Sequence, residues 1–166
     1  TPVYMDFNKS IMAKQGYGNY EALDVEKLPN LYIAFRRKMS EGTEVLHNNL
    51  RARFNIGEKA VLDAMEEWAG LTTEFRTAMD SGNSERMAQL INRNFDIRRK
   101  LVHIEAGNIE MVELARQTGA SAKFTGSGGA IIGTYTNEEM FRNLTTTLNK
   151  KEIEVIKPDI VSNPNT

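Results

Sequence analysis

The spacing of apolar residues changes sharply near residue 120 of this 166-residue chain. From residue 44 to residue 118, apolar side chains recur every three or four positions, which is typical of amphipathic helices. After residue 120 they form two short runs, 122–125 and 130–135, that enclose Gly126-Ser127-Gly128-Gly129. Short apolar runs on either side of a glycine turn favour strands. The sequence therefore predicts an α+β domain in which a block of helices precedes a strand–loop–strand unit.

Turn residues divide the helical block into three predicted helices. These are residues 44–80 with a break at Gly57, Glu85–Val102, and Ile109–Thr118. Asn108 stands before the third helix in the position of an N-cap, and Gly119 follows it in the position of a C-terminal stop. Met65 and Trp68 occur at helical spacing in the first helix, so both are expected in the core.

Strands are expected at both ends of the chain. Val3–Phe7 is short and apolar, and Tyr20–Val25 and Leu31–Phe35 flank the turn pair Pro29-Asn30. Near the other end, Asn137 is placed to cap a last helix. The alternation of charged and apolar residues in Glu152–Lys157 is typical of an edge strand.

The segment Thr125-Gly126-Ser127-Gly128-Gly129 is the clearest candidate for a binding site. Glycine permits positive φ and leaves room for a ligand against the main chain. Successive N–H groups in such a loop can form a concave site for an anion, and Thr125 and Ser127 add hydroxyls. The segment is not a P-loop, because no Gly-Lys-Ser/Thr ends it, and it lacks the third glycine of the dinucleotide fingerprint. The alternative is a glycine-rich turn that only lets two strands approach each other.

Net charge and the lack of cysteine restrict the other classes of function. The chain has 21 Lys and Arg residues against 22 Asp and Glu residues, so its total charge does not favour nucleic acid or an acidic membrane as a partner. Without cysteine there is no disulfide, zinc–thiolate site or cysteine nucleophile. His47 and His103 lack the spacing of metal ligands, so no metal site is predicted. No apolar run approaches the roughly 18 residues that cross a bilayer, and a cytoplasmic location is expected.

Several segments resemble the GHMP kinases, the family of galactokinase, homoserine kinase, mevalonate kinase and phosphomevalonate kinase. Lys123–Gly133 is similar to the third conserved motif of that family, a glycine-rich turn between two strands of its C-terminal domain. Leu90–Phe95 is similar to the family's Leu-Met-Asn-x-Asn-His helix segment. The segments that read most like the glucuronokinase branch are Tyr4–Phe7, Asn92–Arg99 and Asn108–Glu113.

The resemblance runs from about Val3 to Val161 and implies the C-terminal domain of a GHMP kinase, a ferredoxin-like sheet packed with helices. It makes residues 1–30 strands that link to the N-terminal half, residues 31–161 the domain itself, and residues 162–166 a loose tail. The family's phosphate-cradling loop, of the type Pro-x-x-x-Gly-Leu-Ser-Ser-Ser, is absent from this sequence. The catalytic residues are therefore expected in the N-terminal half, and this chain alone is expected to be inactive.

The activity that the resemblance implies is transfer of the γ-phosphoryl group of ATP, with Mg²⁺, to the anomeric hydroxyl of glucuronate. The expected partners are a sugar or sugar-acid substrate and the N-terminal half of the same kinase. Other substrates of the family, such as a heptose phosphate, galactose or mevalonate, stay open. A stand-alone, non-catalytic binding module of the same fold also stays open.

Four side chains outside the glycine segment are candidates for the substrate and phosphate site. Asn94 and Arg98 fall within the apolar stripe of the 85–102 helix, where a polar group needs a partner. They are expected either to reach the substrate, with Arg98 on its carboxylate, or to bond internally. Asp6 is expected to contact sugar hydroxyls or to be an exposed strand-end carboxylate, and Lys123 to face phosphate or solvent. Three further polar residues of the helix are expected to point mostly away from the stripe: Asn92, Asp96 and Arg99.

Overall fold

The computed structural model describes residues 2–37 and 50–161. The chain divides into a first unit, formed by residues 2–28 with 159–161, and a second unit, Pro29–Pro158. The beginning of the first predicted helix, with His47, lies outside the described residues, as does the predicted tail at 162–166. The domain boundary that the sequence sets at residue 30 stays a prediction.

The first unit contains a two-stranded antiparallel sheet. Strand β1 (Val3–Asp6) pairs with strand β2 (Asn19–Ala22), and helix α1 (Lys9–Gln15) lies between them in the chain. The predicted first strand is confirmed, but the sequence does not predict α1. The helix has only seven residues, so it is too short to show an apolar period. Its local signals are Asn8, whose side chain accepts a hydrogen bond from the backbone N–H of the second helical residue, and Gly16, which ends the helix in the left-handed conformation.

The strands expected on either side of Pro29-Asn30 both exist, but they do not pair with each other. A short 3₁₀ helix (Val25–Lys27) follows β2, and the next strand, β3 (Leu31–Phe35), belongs to a different sheet. The predicted end of the second strand at Val25 is wrong. Asp24 explains this, because its side chain accepts a hydrogen bond from the N–H of Glu26 and begins the 3₁₀ turn.

The second unit contains a four-stranded antiparallel sheet with the strand order β4-β5-β3-β6. The three further strands are β4 (Lys123–Phe124), β5 (Ala130–Thr134) and β6 (Glu154–Ile156). Strand β3 lies inside the sheet, between β5 and β6. This is the strand order of a ferredoxin-like sheet, so the predicted fold class is confirmed. Strand β6 is at the edge, as its alternating sequence predicts.

The helices of the second unit follow the predicted turns. Residues 50–55 are helical, and Gly57, with a φ of 73°, separates them from the next helix. The longer helices are α2 (Lys59–Asp80), α3 (Ser84–Leu101), α4 (Ala106–Gln117) and α5 (Glu138–Asn149). Asn137 caps α5 by accepting a hydrogen bond from the N–H of Met140, as predicted.

One apolar core joins the sheet to helices α3, α4 and α5. Its fully buried members include Tyr32, Phe95, Met111, Ile131 and Leu144. Burying a large apolar side chain contributes about 1.5–3 kcal/mol. The core therefore fixes α3 and α4 against the sheet, and with them the side chains at the end of β4.

Two apolar residues of α2 that were expected in the core lie outside it. Met65 is 39% exposed, and Trp68 is only half-buried. The residues of α2 that are buried are Val61, Ala64, Ala78 and Met79. Helix α2 packs on α3, but fewer of its apolar side chains are buried than the spacing in its sequence indicates.

Candidate functional site

A cleft of about 470 Å³ lies where α2, α3 and the β4–β5 loop meet. The residues that line it are Trp68, Asn94, Arg98, Lys123, Phe124, Thr125, Gly126 and Ser127. All but two of these, Trp68 and Phe124, are site residues that the sequence predicts. They come together because α3 packs against β4. Gly128 and Gly129 do not line the cleft.

The loop between β4 and β5 is closed by its own hydrogen bonds. The N–H and the hydroxyl of Thr125 both donate to the carbonyl of Ala130, at 3.1 and 3.3 Å. Gly129 has a φ of 76°, a conformation that favours glycine. Its N–H donates to Oδ1 of Asn108 at 2.9 Å. Two of the N–H groups in the predicted anion-binding loop are thus bonded within the protein.

Asn108 holds this loop and does not cap a helix. Helix α4 begins at Ala106, with Glu105 in the N-cap position, so the predicted cap is wrong. Asn108 lies inside the first turn, and its side chain is fully buried against the glycine loop. The contact joins positions 21 residues apart, so no local sequence pattern reveals it.

Replacing Asn108 with Leu is expected to destabilise the chain by about 1–3 kcal/mol, because the buried N–H of Gly129 loses its acceptor. Leucine has the same branched shape and the same number of side-chain heavy atoms as asparagine, so lost packing contributes little. Denaturant unfolding measures the loss, and hydrogen exchange at the Gly129 amide should become faster. The matched control is Asn149→Leu at an exposed position on α5, with an expected change within about 0.5 kcal/mol. Equal unfolding midpoints for Asn108→Leu and the wild type would contradict this role.

Arg98 places a guanidinium at the wall of the cleft, one helical turn after Asn94. Its Nη1 donates a hydrogen bond to the carbonyl of Gly126, and its Cζ lies 5.5 Å from the centre of the Phe124 ring. Burial lowers the pKa of Arg98 from its usual range. Arg98 is thus half-buried, with its guanidinium turned to the loop.

Lys123 brings a second positive charge into the same cleft. Its Nζ donates to the carbonyl of Phe124 at 3.0 Å. The pKa of Lys123 is lowered, first by burial and then by the nearby charge of Arg98. Within residues 2–37 and 50–161, no carboxylate forms an ion pair with Arg98 or Lys123. Two partly desolvated like charges without a counter-charge are unfavourable, so the cleft is suited to an anion.

A hydrogen-bond network fixes the start of β4, immediately before Lys123. Asn92 Oδ1 accepts from the N–H of Ala122 at 2.9 Å, and Arg116 donates to the carbonyl of Ala122 at 3.1 Å. Arg116 also forms an ion pair with Asp96 at 2.7 Å. Both main-chain groups of Ala122 are therefore held by side chains from α3 and α4, and this holds Lys123 in the cleft wall.

Sequence reasoning missed the polar contacts on the other side of α3. Asn92, Asp96 and Arg99 do lie away from the apolar stripe, as expected, but each bonds to α4 or to the start of β4. Arg99 pairs with Glu113 of α4 at 2.8 Å. Arg116 was not among the predicted site residues, because a basic residue in the last turn of a helix is common.

Asp6 is the predicted substrate-binding residue that lies outside the second unit. It lies at the end of β1 in the first unit, where its carboxylate accepts a hydrogen bond from the N–H of Asn8 at 2.8 Å. Its contact with a sugar stays a prediction. Among the described residues, no helix has the length and apolar character needed to span a membrane.

The chain is similar in sequence to two curated glucuronokinases of Arabidopsis thaliana. It is 44% identical over 133 residues to a probable glucuronokinase 2 and 41% identical over 133 residues to glucuronokinase 1. Each match covers 78% of this chain but only 36% of the relative. The chain thus spans little more than a third of the length of these relatives. No family model matches it.

The fold is similar to that of solved kinases. The mevalonate kinase of L. major, solved in complex with R-mevalonate, matches with a TM-score of 0.75 at 16% sequence identity. The match covers 89% of this chain and 48% of that protein. At such low identity the likeness shows the fold alone.

Proposed function

We propose that this chain, which is similar in sequence to glucuronokinases and in fold to a mevalonate kinase, is the substrate-binding part of a sugar-acid kinase. The proposed reaction is transfer of a phosphoryl group from ATP to the anomeric hydroxyl of glucuronate. The observation that carries the proposal is the pair of half-buried cations, Arg98 and Lys123, in one cleft without a carboxylate partner among the described residues. A sugar acid supplies the negative charge that these two residues lack.

The chemistry of the cleft matches the parts of such a ligand. A guanidinium binds a carboxylate through two parallel hydrogen bonds, and Arg98 uses only Nη1 on the loop carbonyl. Asn94, Thr125 and Ser127 offer amide and hydroxyl groups to the sugar hydroxyls. Lys123 is a point charge that suits either the carboxylate or a phosphoryl group. We also propose that the glycine loop, residues 125–129, contacts a phosphate group during the reaction.

ATP is the proposed phosphoryl donor, because the curated relatives are kinases. Phosphoryl transfer relies on positioning and on Mg²⁺ that neutralises the phosphates. Residues 2–37 and 50–161 contain no group of three or more His, Asp or Glu side chains that would hold a metal ion. In kinases Mg²⁺ is commonly held by one or two carboxylates together with the substrate phosphates, and we assign none of the described residues to it.

The remaining part of the kinase is proposed to come from a longer polypeptide or a second chain. The share of the relatives that this chain covers supports this, as does the absence of the Pro-x-x-x-Gly-Leu-Ser-Ser-Ser type of loop from its sequence. Within the first unit, Val3, Met5 and Tyr20 form an exposed apolar face on β1 and β2. Such a face is typical of a surface that another part of a protein covers.

The 166-residue chain is expected to bind glucuronate without phosphorylating it. Titration of the ¹⁵N-labelled chain should shift the amide signals around Arg98, Lys123 and Gly126, and incubation with MgATP and glucuronate should release no ADP. Galactose, which has no acid group, and mevalonate, which has no sugar ring, are the controls and should bind more weakly. Equal shifts with galactose would contradict the sugar-acid proposal. ADP release at an enzymatic rate of about 1 s⁻¹ or more would show that no other part is needed.

A further inference from the structure

Trp68 is an aromatic side chain that the structure places at the wall of the cleft. It lies on α2 and is half-buried, although its helical spacing predicts a core residue. Its indole N–H donates to the main-chain carbonyl of Asn94 at 3.2 Å. The polar atom of the ring therefore has a partner inside the protein, and the part of the indole that borders the cleft is apolar.

The hydrogen bond ties the indole to the helix that carries the cation. Asn94 and Arg98 are one turn apart on α3, so their side chains share a face. Trp68 is thus held beside the same stretch of helix from which Arg98 reaches the loop. The cleft combines an apolar aromatic wall with a positively charged wall.

A sugar acid likewise has an apolar part and a charged part. Its ring carries C–H groups on its faces, hydroxyls around its rim and a carboxylate at one end. Ligand sites commonly pair an aromatic surface for the apolar part of a ligand with a few polar groups that fix its orientation. A simple inorganic anion, by contrast, has nothing to place on an indole.

We infer that Trp68 is a specificity-determining residue, whose indole packs against the ring of the sugar acid while Arg98 and Lys123 bind its carboxylate. The inference rests on the proposed function and adds how the uncharged part of the substrate is recognised. It also explains why a tryptophan that is not fully buried has its N–H bonded within the protein, since this leaves the ring fixed and ready for the ligand.

Trp68 is the single tryptophan of the chain, so its fluorescence reports on this cleft alone. Glucuronate should change the emission of the wild-type chain, and glucose should have a weaker effect. Calorimetric titrations with glucuronate and with inorganic phosphate then compare the wild type with Trp68→Leu and Trp68→Phe. Trp68→Leu should weaken glucuronate binding about three- to tenfold and leave phosphate binding within about twofold.

Trp68→Phe separates the ring from the hydrogen bond, because phenylalanine keeps an aromatic surface but has no N–H. It should retain more of the glucuronate affinity than Trp68→Leu. Two results would overturn the inference and leave the proposed function standing, provided that the wild type binds glucuronate. In the first, Trp68→Leu binds glucuronate as tightly as the wild type does. In the second, Trp68→Leu loses affinity for glucuronate and for phosphate to the same extent. If the wild type does not bind glucuronate at all, both the inference and the proposed function fail.

Discussion

Gly133→Ala is expected to prevent the second unit from folding. Gly133 is buried in β5, and a Cβ added there would lie 1.6 Å from the carbonyl oxygen of Ser121 and 2.7 Å from the Tyr32 ring. The oxygen belongs to the main chain, so no side-chain rotation relieves the overlap. Strand β5 would have to separate from the segment at Ser121.

That separation is costly because Ser121 is held by buried hydrogen bonds. Its carbonyl accepts from the Tyr32 hydroxyl at 2.8 Å, and its N–H donates to the carbonyl of Thr134 at 3.0 Å. Its hydroxyl oxygen accepts from the N–H of Thr134 at 2.8 Å. Each buried polar group left without a partner costs about 1–3 kcal/mol. The total is expected to exceed about 4 kcal/mol, a large part of the stability of a domain.

Circular dichroism and denaturant unfolding of Gly133→Ala measure this effect. Gly70→Ala is the matched control, because a Cβ at Gly70 in α2 meets no atom within 4 Å. There the same change should stabilise the chain by about 0.5–1 kcal/mol, since alanine is the better helix former. A Gly133→Ala chain that unfolds at the denaturant concentration of the wild type would show that β5 and Ser121 are not packed as described.

Arg98→Met is expected to lower the affinity for glucuronate about ten- to a hundredfold. A hydrogen bond to a charged group contributes about 1.5–3 kcal/mol, and each 1.4 kcal/mol is a factor of about ten in affinity. The affinity for glucose should change much less, because glucose has no carboxylate. The ratio of the two affinities, which measures the preference for the acid, should therefore decrease. Calorimetric titration of both proteins with both sugars measures this. In the variant the pKa of Lys123 should rise, because the neighbouring charge that lowers it is gone.

Arg99→Met is the matched control for this prediction. Arg99 is the exposed neighbour of Arg98 and pairs with Glu113 instead of bordering the cleft, so its loss should leave both affinities unchanged. The competing explanation is that Arg98 only holds Gly126 in place through its carbonyl. In that case Arg98→Met would lower the melting temperature and would weaken the binding of both sugars equally. That result, or an undiminished preference for the acid, would remove Arg98 from the recognition of the carboxylate.

The sequence predicts those parts of the fold that depend on neighbouring residues. The turn after Asp80, the cap Asn137 and the strands on either side of the glycine loop each have a local pattern, and the structure has them all. The cleft residues on α3 and β4 were also predicted. They were predicted because they lie in segments that resemble conserved motifs of a kinase family. In addition, helical spacing shows from the sequence alone that Asn94 and Arg98 lie on an apolar face.

What the sequence does not predict depends on contacts between distant segments. The pairing of β3 with β5, the bond of Asn108 to Gly129 and the placement of Trp68 beside Asn94 are all of this kind. Helical spacing alone does not distinguish a core tryptophan from one at the wall of a cleft. Asn108 shows the same limit, because an amide near a helix start reads as a cap until its long-range partner is known.

The position of β3 inside the sheet has a consequence for synthesis of the protein on the ribosome. Helices α2 and α3 are adjacent in the chain and can pack as soon as both have emerged. Strand β3 has to wait, because Phe35 pairs with Ala130 and Glu154, on the order of a hundred residues later. Until then the apolar segment Leu31–Phe35 is an unpaired strand in the nascent chain, open to association with other chains. This interior strand of the finished sheet therefore stays unpaired in the nascent chain for longer than the two helices stay unpacked.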